Sequence, residues 1–294
     1  MAKLKTLQSF VTATVVASTL SLSAIGSMTV YAHNDHDHHS KALEQSVSGE
    51  HRSAKNKARD KYRHPVETLN FFGFTSQMTV VEITPGGGWY TEILAPALKG
   101  SGKLYGAHYP DTGEDNYYSN SRKKLEKKLA SNVVFSEVVL TDFVPRKQSE
   151  LAPQGTADLV LTFRNLHNWK DAGVEQVFKD AFNALKPGGV LGVVEHRLPV
   201  GVAPEKAVGY VSEVKTIKQA KAAGFRFAGA SEVNANSKDM AQHPKGVWTL
   251  PPVLRLGDKD KAKYLAIGES DRMTLKFVKP ENTRFSDFKQ KNKQ

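Results

Sequence analysis

The 294-residue sequence contains no cysteine. Disulfides, thiolate metal centres, a cysteine nucleophile and a lipid-bearing N-terminal cysteine are therefore excluded, and stability has to come from a packed core. Acidic residues are in deficit, 30 Asp and Glu against 41 Lys and Arg, which gives a net charge of +11. Such a field favours anionic partners. Long apolar runs are also scarce. Residues 10–30 form one extended stretch, but Ser, Thr and Gly dilute it throughout, which is weak for a stable membrane span. No internal repeat is visible. Hydrophobic residues at 39% and charged residues at 24% argue against disorder or a fibre. One large domain with appended tails is the expected organisation.

Lys3 and Lys5 precede the apolar stretch, and Val30-Tyr31-Ala32 places small residues where a signal peptidase reads them. This pattern predicts a signal peptide over 1–32, cleavage after Ala32 and a periplasmic address, with no membrane span left. The next residues, His33-Asn34-Asp35-His36-Asp37-His38-His39, offer imidazoles and carboxylates to a metal, although their spacing fits no closed tetrahedral site. With residues 40–62, dense in Lys, Arg, Glu, Ser and Ala, they read as a leader followed by a helical, mostly solvated arm over 33–62. A domain over 63–280 and a basic tail over 281–294 complete the chain. The run Arg122-Lys123-Lys124 with Lys127-Lys128 reads as a solvated helix face. It lacks the interleaved aromatics and the motif of a nucleic-acid binder, so no nucleic-acid partner is expected.

The body alternates strands and helices. Pro65 opens a short helix that ends at Gly73. Thr79 to Thr84 is a short β-branched apolar run, the form of a strand buried on both faces. Pro85-Gly86-Gly87-Gly88 and a helix from Trp89 to Leu98 follow it. Further strands are expected at Lys103–His108, Val133–Leu140, Ala157–Thr162, Val190–Glu195, Phe225–Ala230 and Met273–Val278. Helices are expected at Ser119–Ala130, Val174–Leu185 and Val208–Ala223. The alternation predicts an α/β fold with a doubly wound, mostly parallel, seven-stranded sheet. Ser231 to Asp271 forms a long insertion between the last two strands, and loops of that length usually serve a function.

Three glycines between a buried strand and a helix let backbone approach a ligand and aim free N–H groups at negative charge. The phosphate-loop pattern is absent. The dinucleotide fingerprint fits only halfway, because Thr91 stands where its third small residue should be, which leaves NAD a weak alternative. The segment Val81-Glu82-Ile83-Thr84-Pro85-Gly86-Gly87-Gly88 resembles the first motif of class I S-adenosylmethionine-dependent methyltransferases. Thr141-Asp142-Phe143, Asn165 and Leu185-Lys186-Pro187-Gly188-Gly189 extend the resemblance over roughly Glu67 to Lys279. Adding His64-Pro65, Trp89-Tyr90, Phe163 to Trp169 and Gly246-Val247-Trp248, the chain is similar to an exported group of predicted methyltransferases of unknown substrate. The resemblance implies a Rossmann-like fold and S-adenosyl-L-methionine as cofactor. It also implies cofactor contacts from Glu82, Gly86, Gly87, Gly88, His108, Asp142, Phe143 and Asn165.

Two positions depart from that pattern. Thr84 replaces the first glycine, which predicts a less tight turn. His108 stands at the end of the second strand, where these enzymes place an acid that grips both ribose hydroxyls, and an imidazole offers one bond at most. Methyl transfer to O or N needs positioning and removal of a proton. Arg164, His167 and Glu195, at carboxyl ends of predicted strands, are the catalytic candidates, with His167 or Glu195 as base. Asp60, Arg63 and His64 are candidates to face the same mouth. Trp89, Tyr90, Trp169 and Trp248 are candidates to stack on a ligand. The expected partner is a small-molecule acceptor, anionic if Lys245 and Arg255 flank it. A non-catalytic ligand- or metal-binding protein on the same scaffold is the alternative, and the oligomeric state is open.

Overall fold

A computed structural model describes residues 41–281. The predicted signal peptide, the His33 to His39 cluster and the chain after Glu281 lie outside those residues. Three short helices come first: α1 (residues 41–48), α2 (Ala54–Lys57) and α3 (Asp60–Arg63). Only part of this segment is solvated as expected. Leu43 is buried in the core, and buried Arg52 holds Asp60 through two bonds of 2.7 and 2.8 Å. Asp60 is thus spent on Arg52, whereas Arg63 closes α3 inside the fold.

Helix α4 (Pro65–Phe72) starts on proline and ends on Gly73 at φ 83°, a left-handed cap that glycine adopts without strain. The sheet strands are β1 (Thr79–Ile83), β2 (Lys103–His108), β3 (Val138–Asp142), β4 (Ala157–Phe163), β5 (Leu185–His196), β6 (Arg226–Ser231) and β8 (Arg272–Val278); β7 (Pro244–Val247) lies outside the sheet. The spatial order is β3-β2-β1-β4-β5-β8-β6, and only β8 runs antiparallel to its neighbours. This is the expected seven-stranded, mostly parallel, doubly wound sheet. One apolar layer, with α7 (Leu166–Ala184) and α8 (Glu213–Ala222), covers one face, and a second, with α4, α5 (Thr91–Leu98) and Leu43, covers the other. No helix among the described residues is long and apolar enough to cross a membrane.

Several boundaries differ from expectation: β5 begins at Leu185, five residues early, and three others have a readable cause. Val133–Phe135 is a 3-10 turn capped by the Asn132 side chain, so β3 begins five residues later than predicted. Helix α7 starts at Leu166, eight residues early, with a break at Lys170 (φ 55°). Val208 and Gly209 form a turn and Val211 is extended, because Val211 bonds the His196 carbonyl (2.8 Å) and receives a bond from Leu198 (2.9 Å). Ser212 then caps α8 by accepting from the Lys215 N–H.

Strand order reverses between β1 and β4. A parallel sheet opens a crevice outside the carboxyl ends of its strands at such a point. The glycine turn after β1 and the Arg164-Asn165 corner after β4 face each other there, and Asn165 Nδ2 bonds the Ile83 carbonyl across the gap at 3.1 Å.

Candidate functional site

The crevice holds a cavity of about 610 Å³ that continues into a smaller one of about 280 Å³. Thr84, Gly86, Asn165, His167 and Trp248 border both. Volumes of this order suit a nucleotide-sized ligand.

The glycine turn is built to admit one. Gly86 has φ 58°, and a Cβ added to it would meet no atom within 4 Å, so any side chain there would project into open space. Thr84 takes φ 51°, the left-handed conformation that a glycine would occupy, held by its N–H on the Ala107 carbonyl at 2.7 Å. The turn therefore keeps a glycine-type backbone at the expense of local strain. The buried Thr84 Oγ1 has no hydrogen-bond partner among the described residues, an unmade bond in a cavity wall of the kind a ligand completes. Gly88, by contrast, is a packing glycine: a Cβ there would lie 3.1 Å from Leu125 and Lys128.

Glu82 sits behind this turn and does not border the cavity. It is buried and accepts a 2.6 Å bond from the Thr91 hydroxyl. Burial raises its carboxyl to about 7, against the opposing pull of Thr91, Lys128 and Arg63. The folded state then retains a proton that the unfolded chain releases near 4.5, so this group's stabilisation is complete below pH 4.5 and is lost as pH rises to 7. Glu82→Gln, which keeps an acceptor for Thr91, should gain about 3 kcal/mol on wild type across that interval. Urea unfolding of both proteins at pH 5 and pH 8 measures it, and a pH-independent difference refutes the assignment.

The wide end of the cavity is aromatic, bordered by Tyr109, Tyr117, Tyr118 and Trp169. Tyr109 packs on Tyr118 with centroids 4.2 Å apart. Helix α6 (Tyr117–Ala130) brings the tyrosine pair here, started by Asn116, whose side chain accepts from the N–H groups of Tyr118 and Ser119 at 3.0 Å.

Beyond Glu82 and Gly88, four further residues expected to contact the cofactor stand outside the cavity lining. His108 is fully buried, its ring nitrogens meeting the Tyr109 carbonyl (3.1 Å) and Ser121 Oγ (3.2 Å), so it supports the wall from behind. Asp142 is exposed and paired with Arg122 at 3.1 Å. Phe143 belongs to the core, edge-on to Trp169. Gly87 is exposed at the tip of the turn. Trp89 and Tyr90 are likewise not ligand aromatics: Tyr90 stacks on Phe163, and Trp89 lies beneath the Arg52 and Arg63 guanidinium groups.

His167 and Glu195 are brought together. Glu195, fully buried at the end of β5, accepts from Leu166 N (2.6 Å), His167 N (3.4 Å), His196 N (2.7 Å) and His167 Nδ1 (3.1 Å). It is therefore an N-terminal anchor for α7 and an orienter for the imidazole, and its occupied oxygens remove it as a candidate base. With Nδ1–H donated to the carboxylate, Nε2 carries the lone pair and has no hydrogen-bond partner among the described residues. His196 is also close, its ring 5.2 Å from that of His167 and its Nδ1 on Ser270. Burial, then His167, Arg272, Arg164 and Arg63, hold His196 well below the ordinary imidazole range. Ligand-type atoms of His167, Glu195 and His196 lie within 4.8 Å of one another. A cation there would have to displace the N–H groups on Glu195 in a setting rich in guanidinium.

The narrow end is bordered by Arg59, Arg63, Arg164 and Arg272. Glu269 binds three of them: Arg59 at 2.5 Å, Arg63 at 3.6 Å, and Arg272. Burial lowers Arg164 to about 10, helped by Arg272 and Arg59. The insertion contributes Trp248, Val253 and Arg255, with the Arg255 guanidinium 4.8 Å over the Trp248 ring. Sequence reasoning missed Arg59, Arg272 and Glu269. An Arg at the head of an apolar strand, three residues after a Glu, was the available signal.

No family model and no curated protein matches the chain in sequence. Solved structures do match in fold. One is a SAM-dependent methyltransferase from Aquifex aeolicus, 16% identical, TM-score 0.52, over 76% of this chain and 93% of that one. Another is the cyclase SpnF, 13% identical, TM-score 0.55, over 83% and 94%. A third, from Galdieria sulphuraria, is a candidate sarcosine dimethylglycine methyltransferase, 12% identical, TM-score 0.54, over 76% and 87%. The sheet is thus the Rossmann-like sheet of class I methyltransferase structures. One of the three is a cyclase, so the chemistry has to be argued from the site.

Proposed function

We propose that the chain is an S-adenosylmethionine-dependent methyltransferase in which His167, oriented by Glu195, deprotonates a hydroxyl or amine acceptor. The observation that carries this reading is the crevice itself: an open glycine turn on one wall and a carboxylate-held imidazole on the other, at the switch point of the sheet.

The residues fit a nucleoside in the wide end. Four aromatic rings offer stacking surfaces, Gly86 leaves the space that a side chain would fill, and Thr84 Oγ1 and Ser121 offer hydroxyls. Among the described residues no carboxylate borders either cavity, so these residues would hold the ribose without the paired acid grip. When bound, the cofactor would supply a methyl group on a cationic sulfur. The chain's own part is to hold the acceptor and take its proton at Nε2 of His167, while the Glu195 carboxylate keeps Nδ1–H and stabilises the resulting imidazolium. Asn165 spends Nδ2 on Ile83 and Thr162, which leaves its carbonyl oxygen for a ligand.

The test is calorimetry with S-adenosylmethionine and S-adenosylhomocysteine. Gly86→Val puts a β-branched side chain at positive φ and into the cavity, so binding should weaken at least about tenfold. Binding of NAD with no binding of either nucleoside overturns the reading. We further propose that the enzyme acts after export, on the strength of Lys3, Lys5 and Val30-Tyr31-Ala32. Recovery of the protein in the cytoplasm alone refutes that, and Met1 retained on the exported protein refutes cleavage after Ala32.

A further inference from the structure

Four guanidinium groups border the narrow end, and one carboxylate, Glu269, pairs with three of them from behind that lining. Arg63 and Arg272 are 3% and 2% exposed and border the cavity. Buried donors lack a hydrogen bond to any described residue at Arg63 Nε and Nη1, at Arg272 Nε and at Arg59 Nη2, Arg63 Nε having only the longer 3.6 Å ion contact with Glu269. Each unmade bond of a buried charged donor is costly, and a run of them along one cavity wall marks a site that a ligand completes. Arg164 is partly exposed and makes no side-chain hydrogen bond or ion pair with any described residue, so its donor fork is free. It is held there by the backbone: φ is 62°, and its N–H bonds the Val194 carbonyl at 2.7 Å.

The nucleoside of the methyltransferase reading cannot balance this wall. Its one carboxylate is accompanied by an ammonium and a sulfonium, so it adds net positive charge to a crevice already in excess. The missing negative charge has to arrive with the second ligand. Resting on that reading, we propose that the arginine wall seats an oxyanionic group of the methyl acceptor, doubly charged and of the phosphate-monoester class, in the cavity that His167 borders. Guanidinium forks match such oxygens two at a time, and partial burial strengthens each bond. The same seat draws the anion next to the sulfonium, which offsets the repulsion between wall and cofactor.

Inorganic phosphate is the probe, titrated by calorimetry into the full chain without other ligand, with acetate as the singly charged comparison. Methylthioadenosine, a nucleoside without the amino-acid tail, is titrated separately. Phosphate should bind at one site, at least about tenfold more tightly than acetate. Arg164→Gln should weaken phosphate at least about tenfold and leave methylthioadenosine within about threefold of wild type. Arg164→Lys, which keeps the charge, should fall between, and its circular dichroism controls for folding. Failure of millimolar phosphate to bind, or equal binding of acetate, overturns the proposal. So does displacement of phosphate by S-adenosylhomocysteine but not by methylthioadenosine, because the wall would then serve the amino-acid tail. Phosphate binding that depends on Arg164, with no nucleoside binding at all, leaves the oxyanion seat standing and removes the methyltransferase reading instead.

Discussion

His167→Ala is expected to lower turnover by about 10²- to 10⁴-fold, the usual range for a positioned general base, with nucleoside affinity little changed. The substitution should not disturb the fold. Glu195 keeps three backbone donors when the imidazole leaves, from Leu166, His167 and His196, so no buried charge is stranded. The loss should fall on the chemical step, read as the single-turnover rate of S-adenosylhomocysteine formation with a phosphate-bearing acceptor. Glu195→Gln supplies the second arm. An amide NH₂ facing Nδ1 favours the tautomer with the proton on Nε2, which abolishes the lone pair that faces the acceptor. It should therefore lower the rate while His167 stays in place. Wild-type turnover in His167→Ala removes the imidazole from the mechanism and leaves proximity alone to carry catalysis.

The sheet was legible because its signals are local. A β-branched run such as Thr79 to Ile83, followed by three glycines, reports a buried parallel strand and its turn without knowledge of the rest. The elements that moved are those decided by long-range contacts. The helix expected from Val208 begins only at Glu213, because Val211 pairs with the strand end at His196 and Leu198 and stays extended. The site was legible in the same proportion. Gly86, Asn165, His167 and Trp248 follow from their position after strands or from the apolar insertion, and they border the crevice. His108 and Phe143 have the right positions along the chain, yet their side chains point into the protein, a matter of packing that spacing cannot report. Glu195 looked like a free carboxylate, and only the fold reveals that the first turn of α7 is built on it. The arginine wall was the least legible part, since Arg59, Arg164 and Arg272 come from three distant segments. Arg63 and Arg164 were candidates one at a time, but beyond the net charge of +11 and the Glu269-x-x-Arg272 spacing nothing joined them into a wall.

Glu269→Gln is expected to be the most destabilising of these substitutions, by about 3 to 5 kcal/mol, the range for removing one member of a buried ion network. Burial pushes the Glu269 carboxyl up, but Arg272, with the Arg59 hydrogen bond and Arg63, overrides this and holds it at about 2. A depressed carboxyl stabilises the fold above its unfolded value of 4.5 and loses that contribution as pH falls toward 2. Wild type should therefore lose stability over that acid interval, and the variant, already without the charge, should show a flatter profile there. The remaining guanidinium groups of Arg59, Arg63 and Arg272 would repel one another and Arg164 without a counter-ion. An oxyanion in the cavity can take over the carboxylate's role, and a ligand that binds only the folded state stabilises it by mass action. Phosphate should then raise the midpoint of thermal unfolding more in Glu269→Gln than in wild type, while chloride at equal ionic strength should not. Equal shifts in both proteins would mean that the anion and Glu269 do not share the arginines, and that Glu269 acts only as a structural brace between α3 and β8.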